Sequence, residues 1–204
     1  MGTNLRRLRL LLWGLVLIIG GGASWFFLLG PGSGVGRPLE GTVDLGRGDY
    51  RLLTTEGDSF TQDSLIGQPT LVFFGFTHCP DVCPTTLGDI ALWKEGLGPS
   101  GAALRVVFIT VDPARDTPET LHDYISWLPG AVGVTGPDEE IAQAIAAFRI
   151  YARQVPLQGG GYSMDHSAYV MLFDRKGAFD QVFSYQEDPE RVIAKLRRAL
   201  GAAS

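Results

Sequence analysis

The two cysteines of this chain, Cys79 and Cys83, form a CxxxC pair inside the Pro-punctuated stretch THCPDVCPTTL at Thr77 to Leu87. A third soft-metal donor, His166, lies far downstream in DHSAYVML. Thiolate is the form of cysteine that attacks disulfides and also the form that binds metal, so the pair supports either chemistry. An apolar run, Leu71 to Phe76, precedes the cysteines and a helix-like segment follows them. That order predicts both thiols at the mouth of a strand-to-helix turn. Each cysteine precedes a proline, Pro80 or Pro84, which disfavours the α conformation at both. Cys83 is therefore expected at the cap of the helix, with Pro84 as its first residue. There, free N–H groups would stabilise a thiolate and lower its pKa. A purely structural disulfide fits less well, because closing so small a loop stabilises a domain by only about 2 kcal/mol. Burial as plain apolar residues fits less well too, since Pro80, Asp81 and Pro84 read as a surface turn.

The elements that must hold these groups alternate between strand and helix. Tyr50 to Thr54 and the turn Glu56-Gly57-Asp58 suggest an opening hairpin, and Leu71 to Phe76 reads as a strand buried on both faces. Leu87, Ile90, Ala91, Leu92 and Leu97 give a helical stripe stopped by Gly96 and Gly98-Pro99. Leu104 to Val111 is a second buried strand, closed by Asp112-Pro113. Thr117-Pro118-Glu119 opens a helix to about Leu128, and Pro137-Asp138 opens another with Ile141, Ala144, Ile145 and Phe148 on one face. Ala168 to Asp174 and Phe179 to Tyr185 flank the turn Arg175-Lys176-Gly177, and Asp188-Pro189 caps a last helix. Strand, helix, strand, helix, hairpin, helix is the order of a thioredoxin-like, peroxiredoxin-like α/β domain.

In such a sheet, the loop leading into the strand after His166 lies against the cysteine turn. Thioredoxins proper carry a cis-proline there; here the nearest upstream proline is Pro156, ten positions before His166. An imidazole beside two thiolates suits Cu(I), or Cu(II) with an added ligand. Zinc would take the same three groups and seek a fourth, for which Asp81 or Asp165 could serve. The metal-free rival is a dithiol–disulfide enzyme in which Cys79 attacks and Cys83 resolves. A peroxide-reducing site would need an activating arginine near the thiol; only Arg115 offers one, through space. His78 and His122 read as ordinary surface or core histidines. Asp112 and Asp165 read either as loop caps or as residues supporting the site.

Composition limits the partners. The 204 residues carry 17 Lys and Arg against 22 Asp and Glu. Setting aside Arg6, Arg7 and Arg9, which precede an apolar stretch, leaves 14 against 22, or −8, for the remainder. An acidic domain without a basic stripe is a poor nucleic-acid binder, because phosphate contacts need clustered Lys and Arg. A content of 45% hydrophobic residues excludes wholesale disorder. Leu10 to Leu29 is uncharged over 20 residues, about enough to cross a hydrocarbon core. The arginines ahead of it predict a cytoplasmic N-terminus and an exported domain. A cleaved signal peptide is the competing reading, and it exports the same domain. The expected layout is an anchor over 1–29, a Gly/Pro-rich linker over 30–42 and one α/β domain over 43–204.

With these residues in view, the chain resembles the Sco/SenC family of copper-binding, thioredoxin-like proteins that assist cytochrome c oxidase assembly. The resemblance rests on FFGFTHCPDVCPTTL at Phe73 to Leu87, TVDPARDTPETL at Thr110 to Leu121 and MDHSAYVMLFDRKGAF at Met164 to Phe179. It implies that Cys79, Cys83 and His166 are copper ligands and that the domain hangs from an energy-transducing membrane, on the periplasmic side in a bacterium. It also implies delivery of copper to the copper A centre of oxidase subunit II, or reduction of that centre's cysteines. Other copper chaperones and thiol reductants are the further partners implied. His166, on a glycine-rich loop that includes Gln158 to Tyr162, would be the first ligand to let go.

Overall fold

The computed structural model describes residues 11–22 and 44–201. The chain divides into two compact units, residues 1–41 and 42–204. In the first, residues 11–22 form helix α1, with its leucines, isoleucines and Trp13 exposed. Among the described residues no helix is long and apolar enough to cross a membrane. Residues 1–10 and 23–29 of the anticipated anchor, and the whole anticipated linker over 30–42, lie outside the described residues.

The second unit is a mixed α/β domain. Strands β1 (Leu52–Thr54) and β2 (Ser59–Phe60) form the opening hairpin, followed by a 3-10 turn at Gln62–Leu65. Then come β3 (Thr70–Gly75), α2 (Val82–Gly96), α3 (Pro99–Ala102), β4 (Arg105–Thr110), α4 (Pro118–Ile125), β5 (Ala131–Thr135) and α5 (Asp138–Ala147). Strands β6 (Ala152–Pro156), β7 (Tyr162–His166), β8 (Val170–Phe173) and β9 (Phe179–Phe183) lead to α6 (Pro189–Gly201). Seven strands share one sheet in the order β2-β1-β5-β4-β3-β8-β9, and β6-β7 form a separate two-stranded ribbon. β3, β4 and β5 run parallel, while β8 joins β3 antiparallel.

Burial explains the centre of this sheet. Every residue of β3 is buried, and each of its edges is paired, to β4 and to β8. A strand enclosed on both faces needs apolar side chains throughout, and Leu71, Val72, Phe73 and Phe74 supply them. The rings of Tyr50, Phe74 and Phe173 surround Phe148 at the end of α5, with centroids 5.2 to 5.8 Å from its own. On α2, Trp93 meets Phe183 of β9 at 5.5 Å.

Several boundaries differ from the sequence reading. Helix α2 starts at Val82, so Cys83 lies inside its first turn and Pro84 is its third residue. The first intrahelical bond runs from Thr85 N–H to Asp81 O at 3.1 Å, so a proline at position 84 forfeits no helical hydrogen bond. Helix α4 ends at Ile125 rather than near Leu128, where Leu128 N–H turns back to Ile125 O ahead of Pro129. Strand β5 was not anticipated: its AVGVT carries a glycine because a Cβ at Gly133 would lie 3.0 Å from Leu121 Cβ and 2.7 Å from Thr55 Cγ2. The β6–β7 ribbon was not anticipated either, since ARQVP is mostly exposed and lacks a buried stripe.

Gly75, the last residue of β3, positions the cysteine turn most directly. A Cβ there would stand 2.8 Å from Cys83 Sγ and 2.7 Å from Phe108 Cε2. Gly75→Ala is expected to cost about 1–3 kcal/mol in urea unfolding, as over-packing of a core does. Gly88→Ala, in the middle of α2 with nothing within 4 Å, is expected to raise stability by about 1 kcal/mol. Equal effects from the two variants would contradict this packing.

Candidate metal centre

The CPDVCP segment folds as it does because a helix start leaves backbone N–H groups unspent. Cys83 N–H, in the first turn of α2, points back at Cys79 Sγ across 3.3 Å. Cys79 in turn is held by its own N–H to Phe76 O at 3.2 Å. The sulfur of Cys79 thus takes the place of a capping oxygen, while Asp81, at the N-cap position, accepts only a 3.4 Å contact from Thr85 Oγ1.

The two sulfurs differ sharply in setting. Cys83 is fully buried against Gly75 and Phe108, and Cys79 is half-buried. This corrects the sequence expectation that both thiols sit at the surface. The proton distribution is also the reverse of that expectation. A hydrogen bond from Cys83, outweighing burial and aided by the backbone N–H groups of Cys83 and Asp81, lowers the Cys79 pKa to about 5. Cys83 is pushed upward, first by sharing its proton with Cys79 and then by burial. The helix start therefore stabilises a thiolate, but on Cys79.

His166 is the last residue of β7 and pairs with Ala152, so it belongs to a strand rather than to a glycine-rich loop. Gly159, Gly160 and Gly161, all at positive φ, form the far tip of the ribbon. His166 Nε2 lies 3.5 Å from Cys83 Sγ, and Nδ1 lies 2.9 Å from Ser167 O. A carbonyl only accepts, so Nδ1 carries the proton and Nε2 presents its lone pair to the sulfurs. The ring is held edge-on by Phe76, at 5.7 Å and 87°, and by Phe73, at 6.3 Å.

A clamp behind the ribbon fixes its angle. Tyr162, at the start of β7, donates its hydroxyl to Asp112 Oδ1 at 2.8 Å. Arg115 donates Nε to the same carboxylate and Nη1 to Tyr162 O at 3.0 Å, with its guanidinium 3.9 Å from the Tyr162 ring centroid. Asp112 thus supports the site by holding the ribbon that carries His166. Arg115 spends Nε and Nη1 on that clamp. Tyr162 escaped the sequence reading; the TVDPARD segment was conspicuous, but nothing in it names a partner fifty positions away.

Cys79, Cys83 and His166 bring their two sulfurs and a ring nitrogen within 4.8 Å of one another. A pocket of about 220 Å³ opens above them, lined by Cys79, His166, Phe76, Met164 and Asp165 among others. Two sulfurs and one imidazole match a soft ion with a three-coordinate preference. Asp81 and Asp165 do not join the converging group, so the fourth ligand that zinc would seek is missing among the described residues. His78 and His122 are exposed and also stand outside it.

Comparison with known proteins agrees with this geometry. A family model described as SCO1/SenC matches residues 40–201. The chain is 32% identical over 197 residues to the mitochondrial protein SCO1 of Saccharomyces cerevisiae, covering 89% of this chain but 65% of that protein. It is 33% identical over 189 residues to a SCO2-like protein of Rickettsia conorii, covering 89% and 92%. The structure of Bradyrhizobium japonicum ScoI with copper bound superposes with a TM-score of 0.69 at 42% identity, over 76% of this chain and 99% of that one. The fold is accordingly thioredoxin-like, and the chain belongs to the SCO1/SenC family.

Proposed function

We propose that this protein is a copper chaperone that assists assembly of the copper A centre of cytochrome c oxidase. Cys79, Cys83 and His166 hold the copper. The observation that carries this reading is the convergence of two sulfurs and an oriented imidazole within 4.8 Å beneath one open pocket. Cys79 meets the ion already as a thiolate, and Cys83 gives up its proton on binding. Nε2 of His166 faces the sulfurs because Nδ1 is held by Ser167 O. The remaining open face lets an acceptor's ligand approach before the first donors leave, so no free ion is released.

The uncharged stretch from Leu10 to Leu29 serves in this reading as a membrane anchor over 1–29. Residues 30–42 are the tether, and the domain over 43–204 works on the exported side of an energy-transducing membrane, periplasmic in a bacterium. The acceptor is the copper A domain of oxidase subunit II, with other copper chaperones and thiol reductants upstream. Copper titration of the full chain tests the ligand set. The wild type should take up about one Cu(I) per chain with both thiols protected from alkylation. His166→Ala should weaken Cu(I) binding about tenfold or more. An unchanged affinity would remove the imidazole from the site.

The unequal cysteines favour a second reading, a membrane-tethered thiol–disulfide oxidoreductase acting on cysteines of subunit II or of another exported protein. Its attacking residue would be Cys79, half-buried and a thiolate at neutral pH, and its resolving residue Cys83, held as a thiol behind it. Turnover of a protein disulfide by His166→Ala at the wild-type rate would favour this reading. The pair also predicts a pH profile for the metal-free protein. A thiol whose pKa is about 5 is ionised above that value, so Cys79 alkylation should rise with a midpoint near pH 5 and be flat from about pH 7 upward. Cys83 should stay unmodified over the same range while the domain is folded. A Cys79 midpoint near the ordinary value of about 8.5 would contradict the proton-sharing geometry.

A further inference from the structure

Asp116 is fully buried, and the copper reading leaves it without a role. Its Oδ1 accepts the Thr77 hydroxyl at 2.6 Å; its Oδ2 accepts Thr77 N–H at 3.1 Å and the Thr110 hydroxyl at 2.6 Å. Proton bookkeeping makes the carboxyl an acceptor throughout. Thr110 Oγ1 already accepts Asp112 N–H at 2.8 Å, so its own hydrogen is free for Asp116. Thr77 Oγ1 gives its one hydrogen to Asp116, and His78 Nδ1 lies 3.1 Å from the same oxygen. Among the described residues the ion pairs are Arg47–Asp63, Arg115–Asp112 and Lys195–Glu187, so Asp116 has no cation of its own.

This unpaired negative charge is bonded to Thr77, two positions before Cys79. Thr77 directly follows Phe76, whose carbonyl receives Cys79 N–H at 3.2 Å, so the carboxylate braces the same turn of backbone that carries the sulfur. Buried charges are screened weakly, so the field acts on whatever the two sulfurs hold. Two thiolates and a neutral imidazole carry −2. Cu(II) brings that set to neutrality, whereas Cu(I) leaves it at −1. A fixed negative neighbour opposes the second state and is indifferent to the first.

We propose that Asp116 sets the oxidation-state preference of the copper site, its buried charge biasing the three donors toward Cu(II) over Cu(I). This rests on the copper reading above. Asp116→Asn keeps the shape and removes the charge; Thr77→Val keeps the charge and removes one hydroxyl dipole that offsets it. The experiment measures Cu(I) and Cu(II) affinities of both variants and the wild type in competition with chelators of known strength, together with the reduction potential of the bound copper. Asp116→Asn should raise the Cu(I) to Cu(II) affinity ratio about tenfold, equal to about 59 mV for this one-electron couple. Thr77→Val should move the ratio the opposite way, by about twofold. A residue that only braced the loop would shift both affinities together, and a constant ratio in both variants would overturn the inference. If Asp116→Asn does not fold, Thr77→Val decides alone: an unmoved ratio, or a shift toward Cu(I), overturns it. A wild type that binds neither ion would bring down the copper reading and this inference with it, a result distinct from a copper-binding wild type with an unmoved ratio.

Discussion

The antiparallel pairing of β8 with β3 makes a site possible at all. β3 runs toward the cysteines and β8 runs away from His166, with Thr70 opposite Phe173 and Phe73 opposite Val170. The end of the first strand and the start of the second are therefore neighbours, although Cys83 and His166 are 83 positions apart. A parallel pairing would carry the imidazole to the opposite edge of the sheet. A slip of one residue would turn the apolar residues of β8 away from their present faces. Burial of Val170, Met171, Leu172 and Phe173, each at most 1% exposed, holds the register against that slip.

Given that register, the cysteine turn follows from backbone accounting. A helix that starts at a sheet edge has N–H groups to satisfy, and CPDVCP satisfies them with a sulfur and a proline. Pro84 removes one donor where a donor would be idle, and Cys79 takes the donor of Cys83. Gly75 admits Cys83 Sγ against the strand by lacking a Cβ. The Asp112–Tyr162–Arg115 clamp then does for the ribbon what the helix start does for the cysteines. The segments that carry Cys79, Cys83 and His166 are thus braced from two sides.

Much of this was legible in the residues, and the failures have physical causes. β3 and β4 were visible because strands enclosed on both faces must be continuously apolar, as LVFF and VVFI are. α5 was visible through the spacing of Ile141, Ala144 and Phe148. β5 was not, because close packing against Leu121 demanded a glycine at its centre, which erases the strand signal. The β6–β7 ribbon was not, because it stands outside the main sheet and has no buried face to impose alternation. The convergence of Cys79, Cys83 and His166 could be anticipated from topology. The burial of Cys83 could not, since the flanking prolines and Asp81 are exposed while the side chain between them turns inward. Which sulfur carries the charge follows first from the Cys83 thiol donating to Cys79 and from the deeper burial of Cys83, with the Cys83 N–H adding to it, and that N–H is available because the helix starts at Val82.

The unequal burial of the three donors gives the proposed copper transfer an order. An acceptor entering the pocket meets Cys79 and His166 along its walls, while Cys83 lies beneath, out of reach. Exchange must then begin at the two accessible donors and finish at Cys83. As the ion departs, Cys83 would be left as a thiolate in a buried place beside Cys79, the state its surroundings oppose most. Taking back a proton relieves that opposition. The burial that makes Cys83 reluctant to lose its proton on uptake therefore favours release once an acceptor has begun to bind. A site of three equally exposed thiolate and imidazole donors would hold copper by affinity alone and lack this return stroke.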